Sequence, residues 1–213
     1  MKPSKTAFIH RSYLNEHSEP GLESNERLEF LGDAVLQFLS SEFLFEKYPQ
    51  RPEGELTAIR SALVCTTSLA EESRNREYGK GLKLSVGEEE TGGRDKDYIL
   101  ANTFEAVLGA LYLEEGIEKC RHFLQEGLLK KTELIIAEGQ HIDFKSHFQE
   151  VAQAKLNITP NYKVLKEWGP DHEKNFLVAV FVGSKEWGRG EGASKQKAEV
   201  AAAEDGLKHL QKQ

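Results

Sequence analysis

The sequence predicts two domains of different class: an all-α domain over residues 1–139, then over 140–213 a small α+β domain in the order α-β-β-β-α. Three observations carry the division. Apolar residues recur at helical spacing through the first part, without the alternation of a half-buried strand. Glu138-Gly139-Gln140 is a polar break with little length for a tether. Beyond it the period changes to two, and β-branched and aromatic residues gather in short runs bounded by turn residues.

The first domain is organised around Asn25 to Leu39, NERLEFLGDAVLQFL. Turned as a helix, this stretch puts Glu26, Glu29 and Asp33 in a stripe about 60° wide, with Gln37 beside it. Leu28, Phe30, Leu31, Ala34, Val35, Leu36, Phe38 and Leu39 surround the stripe, so the expectation is a helix otherwise wrapped in protein. Glu29 stands four residues before Asp33, a like-charge pair that destabilises a bare helix by a few tenths of a kcal/mol. A hard divalent ion, which takes carboxylate oxygens and keeps several waters, would relieve it. On periodicity alone the same face also reads as an ordinary acidic polar face.

Tyr48-Pro49-Gln50-Arg51-Pro52 interrupts the pattern. Residues 55–72 then predict one helix, with Leu56, Ile59, Leu63 and Leu69 at helical spacing. Residues 74–83 are polar and turn-rich, and Gly92-Gly93 predicts an exposed, flexible loop within EEETGGRDKD. Helical spacing returns over 98–114, and 117–137 supplies one or two further helices. Within the former, Asn102 and Glu105 lie three apart on one face among Ile99, Leu100, Phe104, Val107, Leu108 and Leu111. A glutamate buried there is costly unless paired or metal-bound. Partial exposure or a salt bridge would also account for it.

In the second domain, Phe144, Phe148, Val151 and Ala152 give one helix face. Residues 162–168 alternate, 176–182 are rich in β-branched and aromatic residues, and Gly183-Ser184 turns the chain into 185–190. Ala198, Ala201, Ala202, Leu207 and Leu210 line a closing helix, so a sheet covered by two helices is expected. Gln149, Glu150 and Gln153 share a polar face, with Ser146 one turn earlier. Lys195 and Lys197 stand at the positive end of the last helix, an arrangement that an anion would relieve.

Composition narrows the function classes. The chain has 213 residues and a net charge of −7; residues 1–140 carry 17 Lys plus Arg against 25 Asp plus Glu, and the remainder 11 against 10. Bulk positive charge therefore does not drive any nucleic-acid binding, which must use local placement. Cys65 and Cys120 are too few for a disulfide framework and lack paired metal spacing, which points to a reducing, cytoplasmic setting. No apolar run approaches a membrane span, and the start, MKPSKTAF, lacks the apolar core of a signal peptide.

NERLEFLGD resembles the signature peptide of the ribonuclease III family. The likeness extends, in the family's order, to Phe8-Ile9-His10-Arg11-Ser12-Tyr13, to Glu53-Gly54-Glu55-Leu56 and to ILANTFEAVLGAL over 99–111. Residues 141–213 resemble a double-stranded-RNA-binding domain. Family members usually carry one more helix ahead of the Phe8 segment.

This resemblance implies an all-α endonuclease domain over 1–139 and a double-stranded-RNA-binding domain over 140–213. The implied activity is Mg²⁺-dependent hydrolysis of duplex RNA, with Mn²⁺ as a possible substitute, leaving 5′-phosphate and 3′-hydroxyl ends. Ribosomal-RNA precursor processing and mRNA turnover are the implied work. Glu29, Asp33, Asn102 and Glu105 would hold the metal, with Asp33 and Glu105 catalytic, Glu26 binding RNA or supporting the site, and Glu53 supporting it. The commonest family motif has Asp where this chain has Asn102; the amide keeps a carbonyl oxygen for the ion but removes one charge, so weaker metal binding is expected.

Phe30 would enter a pocket on a second subunit of a homodimer, with packing in its own core as the alternative. Ser146, Gln149, Glu150, Gln153, His172, Lys195 and Lys197 would meet duplex RNA, His172 at a minor-groove 2′-hydroxyl. Two rivals stand beside this reading. A non-catalytic duplex-RNA binder disabled by Asn102 shares every other feature. A redox metal bundle would need paired Glu-x-x-His motifs, and the spacing occurs only at Glu138 and His141, on the domain junction.

Overall fold

The structure, a computed structural model, describes residues 3–170 and 173–210. The chain forms two compact units, Met1–His141 and Ile142–Gln213. The division lies two residues beyond the expected boundary after residue 139, and His141 folds back on the first unit. Its ring Nδ1 is 3.4 Å from the Ile135 carbonyl oxygen and its Nε2 3.9 Å from Glu55 Oε1.

The first unit is helical, with α1 (Pro3–Thr6), α2 (Glu26–Lys47), α3 (Glu53–Leu63), α4 (Thr66–Asn75), α5 (Tyr78–Gly81) and α6 (Val86–Glu90). α7 (Asp97–Glu115), α8 (Ile117–Glu126) and α9 (Thr132–Ala137) complete it. α2 and α7 form the central pair. Val35, Leu36 and Leu39 from α2 meet Ala101, Phe104 and Leu108 from α7, and Leu63, Leu69, Leu124 and Ile135 close the core around them.

The pair packs backbone to backbone. A Cβ added at Gly32 would fall inside the Glu105 carbonyl group and 2.9 Å from the Gly109 nitrogen; one added at Gly109 would overlap the Leu28 carbonyl and lie 3.0 Å from the Gly32 nitrogen. Glycine inside a helix costs about 1 kcal/mol relative to alanine. Here it lets two polar-faced helices touch where any side chain would hold them apart.

At the start of α2, buried Asn25 donates its side-chain amide to the Ala7 carbonyl at 3.2 Å and its backbone N–H to Ile9 at 2.8 Å. The Phe8–Tyr13 segment is thereby stitched to α2. On its other side His10 N–H reaches the Lys83 carbonyl at 3.1 Å and Lys83 N–H the Phe8 carbonyl at 2.8 Å.

Three expectations are corrected. Residues 55–72 make two helices, broken at Val64-Cys65 with Cys65 extended (φ −69°, ψ 157°). Leu63 and Leu69 both enter the core, yet six residues apart they would point about 120° from each other on one helix. The stretch around Gly92-Gly93 is exposed over most of its length, as expected, but it is anchored by packing and hydrogen bonds. Gly93 is buried with the Glu88 carbonyl 2.7 Å from where a Cβ would be, Arg94 donates to the carbonyls of Gly79 and Leu82 at 2.9 Å each, and Lys96 reaches Glu88 at 2.6 Å. Its opposite charges fold onto one another. Finally, α2 is not wrapped in protein: Phe30 is 80% exposed, and Ala34, Phe38 and Phe45 are exposed beside it. A core role for Phe30 is thereby excluded.

The second unit has α10 (Phe144–Leu156), β1 (Asn161–Trp168), β2 (Asn175–Val182), β3 (Lys185–Gly192) and α11 (Lys195–Leu210). The strands pair antiparallel in the order β1-β2-β3. One face, with Val178, Val180, Val182 and Trp187, is buried under Phe148 and Ala152 of α10 and Ala198, Ala202, Leu207 and Leu210 of α11. Gly188, Gly190 and Gly192 alternate along β3, and a Cβ at Gly188 or Gly192 would lie 2.3 or 2.6 Å from the α11 backbone. The helix rests directly on the strand.

Gly32→Ala is expected to destabilise the first unit by about 3 kcal/mol, because the added methyl meets backbone that cannot rotate away. Chemical denaturation of the full chain measures it; a loss below about 1 kcal/mol would show the helices free to separate.

Candidate active site

The central pair decides which side chains meet. Glu29 and Asp33 flank Gly32 on α2, while Glu105 on α7 supplies the carbonyl that Gly32 touches. The charges of Asp33 and Glu29 act on Glu105, and that of Asp33 on Glu29. Glu105 is half-buried, and burial first, then Asp33 and Glu29, push its pKa up to about 7. Burial likewise raises Glu29, followed by the charges of Glu26 and Asp33; Arg11 and a hydrogen bond from Asn102 oppose the rise. Two helix faces therefore hold negative charge that no cation among the described residues pairs with at Glu105.

Among the described residues no three His, Cys, Asp or Glu side chains are drawn into a ready-made cage for an ion. Mg²⁺ does not require one, since it binds through one or two carboxylates and keeps several waters. The donor set suits such an ion: oxygen-bearing side chains from two rigid helices, and a glutamate whose pKa burial and its acidic neighbours push up to about 7. Asn102 gives Glu29 a donor that an ionised Asp could not give.

Glu29 and Asn102 also line a cleft of about 800 Å³ with His10, Arg11, Ser12, Asn15, Asn25, Glu26, Glu88 and Tyr98. Asp33 and Glu105 continue the acidic row one turn further along α2 and α7. Glu26 sits on the cleft's rim, accepting from Ser24 Oγ at 2.8 Å with Arg11 3.9 Å away. Asp33 is exposed and accepts from Gln37 at 3.3 Å.

Glu53 is not brought to this cleft. It stands on the first turn of α3, accepts from Thr57 at 2.9 Å and borders a separate, mainly apolar groove of about 660 Å³ with Phe38, Phe45, Tyr48 and Leu56. Sequence reasoning, in turn, assigned no role to His10, Ser12, Glu88 or Tyr98. The His-x-Ser spacing is a signal that could have marked the first two, because such residues bond locally to backbone.

In the second unit Ser146, Gln149, Glu150, Gln153, Lys195 and Lys197 are all exposed. The first four lie along α10 and the lysines on the first turn of α11. Ser146 is committed to the cap of α10, its N–H and hydroxyl donating to Asp143 at 3.1 and 2.7 Å. Gln153 donates to Asn157 at 2.8 Å. Lys195 Nζ stands 5.7 Å from the Phe176 ring centroid. His172 lies outside the described residues.

Comparison with known proteins agrees with this division of labour. Residues 3–132 match the ribonuclease-III-like family model and 144–210 the double-stranded RNA binding motif. The chain is 48% identical to ribonuclease 3 of Streptococcus uberis over 206 residues, spanning 97% of this chain and 89% of that one. It is 47% identical to ribonuclease 3 of Streptococcus gordonii over 201 residues, spanning 94% and 86%. A solved nuclease domain of ribonuclease III from Campylobacter jejuni, described for structural flexibility in a region involved in dimer formation, superposes with a TM-score of 0.55 at 37% identity. That alignment covers 61% of this chain and 86% of that one. With its helical unit matched to the nuclease and its second unit to the RNA-binding motif, the chain belongs to the ribonuclease III family and is a double-stranded-RNA endoribonuclease.

Proposed function

We propose that the chain hydrolyses duplex RNA in a Mg²⁺-dependent reaction at the Glu29–Asp33–Asn102–Glu105 face, leaving 5′-phosphate and 3′-hydroxyl ends. The observation that carries this is Glu105, pushed up to about 7 by burial and by two carboxylates across the glycine contact. When bound, Mg²⁺ supplies positive charge for the phosphoryl oxygens and acidifies water at neutral pH. Glu29, Asp33 and Glu105 hold the ion, and the α2–α7 contact fixes their spacing. Asn102 orients Glu29 and offers its own oxygen to the ion or to its water.

The exposed row on α2 supports a homodimer. Phe30 projects into solvent, and the groove lined by Phe38, Phe45, Tyr48 and Leu56 offers an apolar concavity for the same residue of a second copy. In a two-fold arrangement each copy gives a Phe30 and receives one. Each active face then cuts one strand of the duplex. The polar face of α10 and the lysines of α11 hold the RNA by shape and phosphate, the mode suited to A-form helices. Ribosomal-RNA precursor processing and mRNA turnover, in the cytoplasm, are the settings in which this activity would serve.

Glu105→Gln is expected to lower cleavage of a long RNA duplex by at least about a thousand-fold while leaving gel-shift affinity intact. An unchanged cutting rate would remove Glu105 from the reaction. The same variant tests the electrostatics without metal. Because the folded pKa of Glu105 lies above its ordinary value near 4.5, the folded state holds more protons than the unfolded between pH 4.5 and 7, and stability falls as pH rises through that window. Glu105→Gln should therefore be more stable than the parent at pH 8 by about 1–2 kcal/mol, a range that allows for partial solvent screening, and equal to it near pH 4. Denaturation with chelator present reads both. Phe30→Asp should turn a dimer into a monomer at micromolar concentration by sedimentation, since it buries a charge in an apolar pocket; a persistent dimer would place the interface elsewhere.

A further inference from the structure

His10 borders the cleft shared with Glu29 and Asn102, and its ring is fixed by an unusual set of donors. Ser12 N–H points at His10 Nδ1 from 3.3 Å, and Ser12 Oγ lies 2.8 Å from the same nitrogen. That hydroxyl already accepts Ser85 N–H at 3.0 Å, which leaves its own proton for His10. A backbone N–H can only donate, so Nδ1 is the acceptor and the ring proton resides on Nε2. The Nε2 edge has no hydrogen-bond partner among the described residues. Burial lowers the imidazole pKa, with Glu88 and Glu26 opposing and Arg11 and Lys96 adding to the fall. The ring is thus a neutral donor of fixed direction in a cleft of carboxylates.

The surroundings define what it can donate to. Glu26, Glu29 and Glu88 are acidic, and the cations nearby are engaged: Lys96 with Glu88 at 2.6 Å, Arg11 near Glu26 at 3.9 Å. A phosphate at His10 would meet three carboxylates. A ribose 2′-hydroxyl is neutral, accepts from Nε2–H and can donate its own O–H in a hydrogen bond to a carboxylate oxygen. We propose that His10 binds the RNA substrate, donating Nε2–H to a 2′-hydroxyl beside the scissile bond, with Ser12 as the residue that positions it. The site thereby contributes to choosing RNA over DNA, which differ at that oxygen. This rests on the reading of the adjoining acidic face as the place where the strand is cut.

The alternative is that His10 only caps the short turn Arg11–Asn15, whose Ser12 N–H it accepts. Asparagine caps such turns at least as well, yet ends before the Nε2 position, so His10→Asn separates the two roles. Single-turnover cleavage is measured on an all-RNA duplex and on duplexes carrying one 2′-deoxynucleotide, moved stepwise past the cut. The parent should lose about ten-fold at one position; His10→Asn should lose about ten-fold on all-RNA and nothing further at that position, with an unchanged melting temperature. If His10→Asn melts early, His10→Gln replaces it; its amide N–H reaches the Nε2 position, so cutting within about three-fold of the parent is expected and a ten-fold loss overturns the proposal.

His10→Asn cutting all-RNA at the parent's rate, or 2′-deoxy losses alike in both proteins, also overturns it. So does a loss that follows methylphosphonate rather than 2′-deoxy substitution in the parent alone, which would assign the contact to phosphate. A parent that never cuts, or a Glu105→Gln variant that cuts normally, fails the reading of the acidic face and this proposal with it. A silent Glu105→Gln beside a normal His10→Asn fails this proposal alone.

Discussion

The contact between Gly32 and Gly109 governs the nuclease unit. Two helices whose backbones touch leave no room for side chains between them, so the residues flanking the contact must project along its edges. On one edge those residues are Glu29, Asp33 and Glu105. Asp33 and Glu29 both push the Glu105 pKa up, so charge opposes the arrangement, and the first unit's core holds the two helices together against it. Hydrophobic burial thus holds in place a set of carboxylates that is electrostatically unfavourable on its own.

The segment from Ala7 to Ser12 is a second consequence of the same geometry. Asn25 anchors it to the start of α2, and Lys83 pairs with it from the other side. A stretch with little regular structure thereby delivers a histidine to the wall of the cleft. Its tautomer is set by Ser12, whose N–H is aimed at Nδ1 and whose hydroxyl, already accepting the Ser85 N–H, lies beside the same nitrogen.

How much of this could be read from the sequence depends on how local the cause is. The acidic stripe on Glu26, Glu29 and Asp33 follows from helical periodicity alone, and so do the facing positions of Asn102 and Glu105. The order of helix, three strands and helix was legible for the same reason, since alternation along 162–168 and the Gly183-Ser184 turn are local signals. The break at Val64-Cys65 was not, because two leucines share a core only when the whole bundle is assembled. Nor was the folding of the Gly92-Gly93 turn, which depends on carbonyls of Gly79 and Leu82 far back along the chain. Phe30 shows the limit most plainly. Its place on the helix was readable, but whether protein covers it is settled by elements distant in sequence. The glycines inside α2 and α7 were a signal left unused, as an interior helical glycine often marks close backbone approach.

The alternating glycines of β3 have a consequence for fidelity of assembly. Arg189 and Glu191 occupy the positions between them and face away from α11. Shifting the strand by one residue in either direction would set Arg189 and Glu191 against the helix backbone in place of two of the glycines, with neither space nor solvent for them. The misaligned hairpin therefore has no compact state to settle into. Strand and helix proofread one another, and the RNA-binding unit closes in a single alignment.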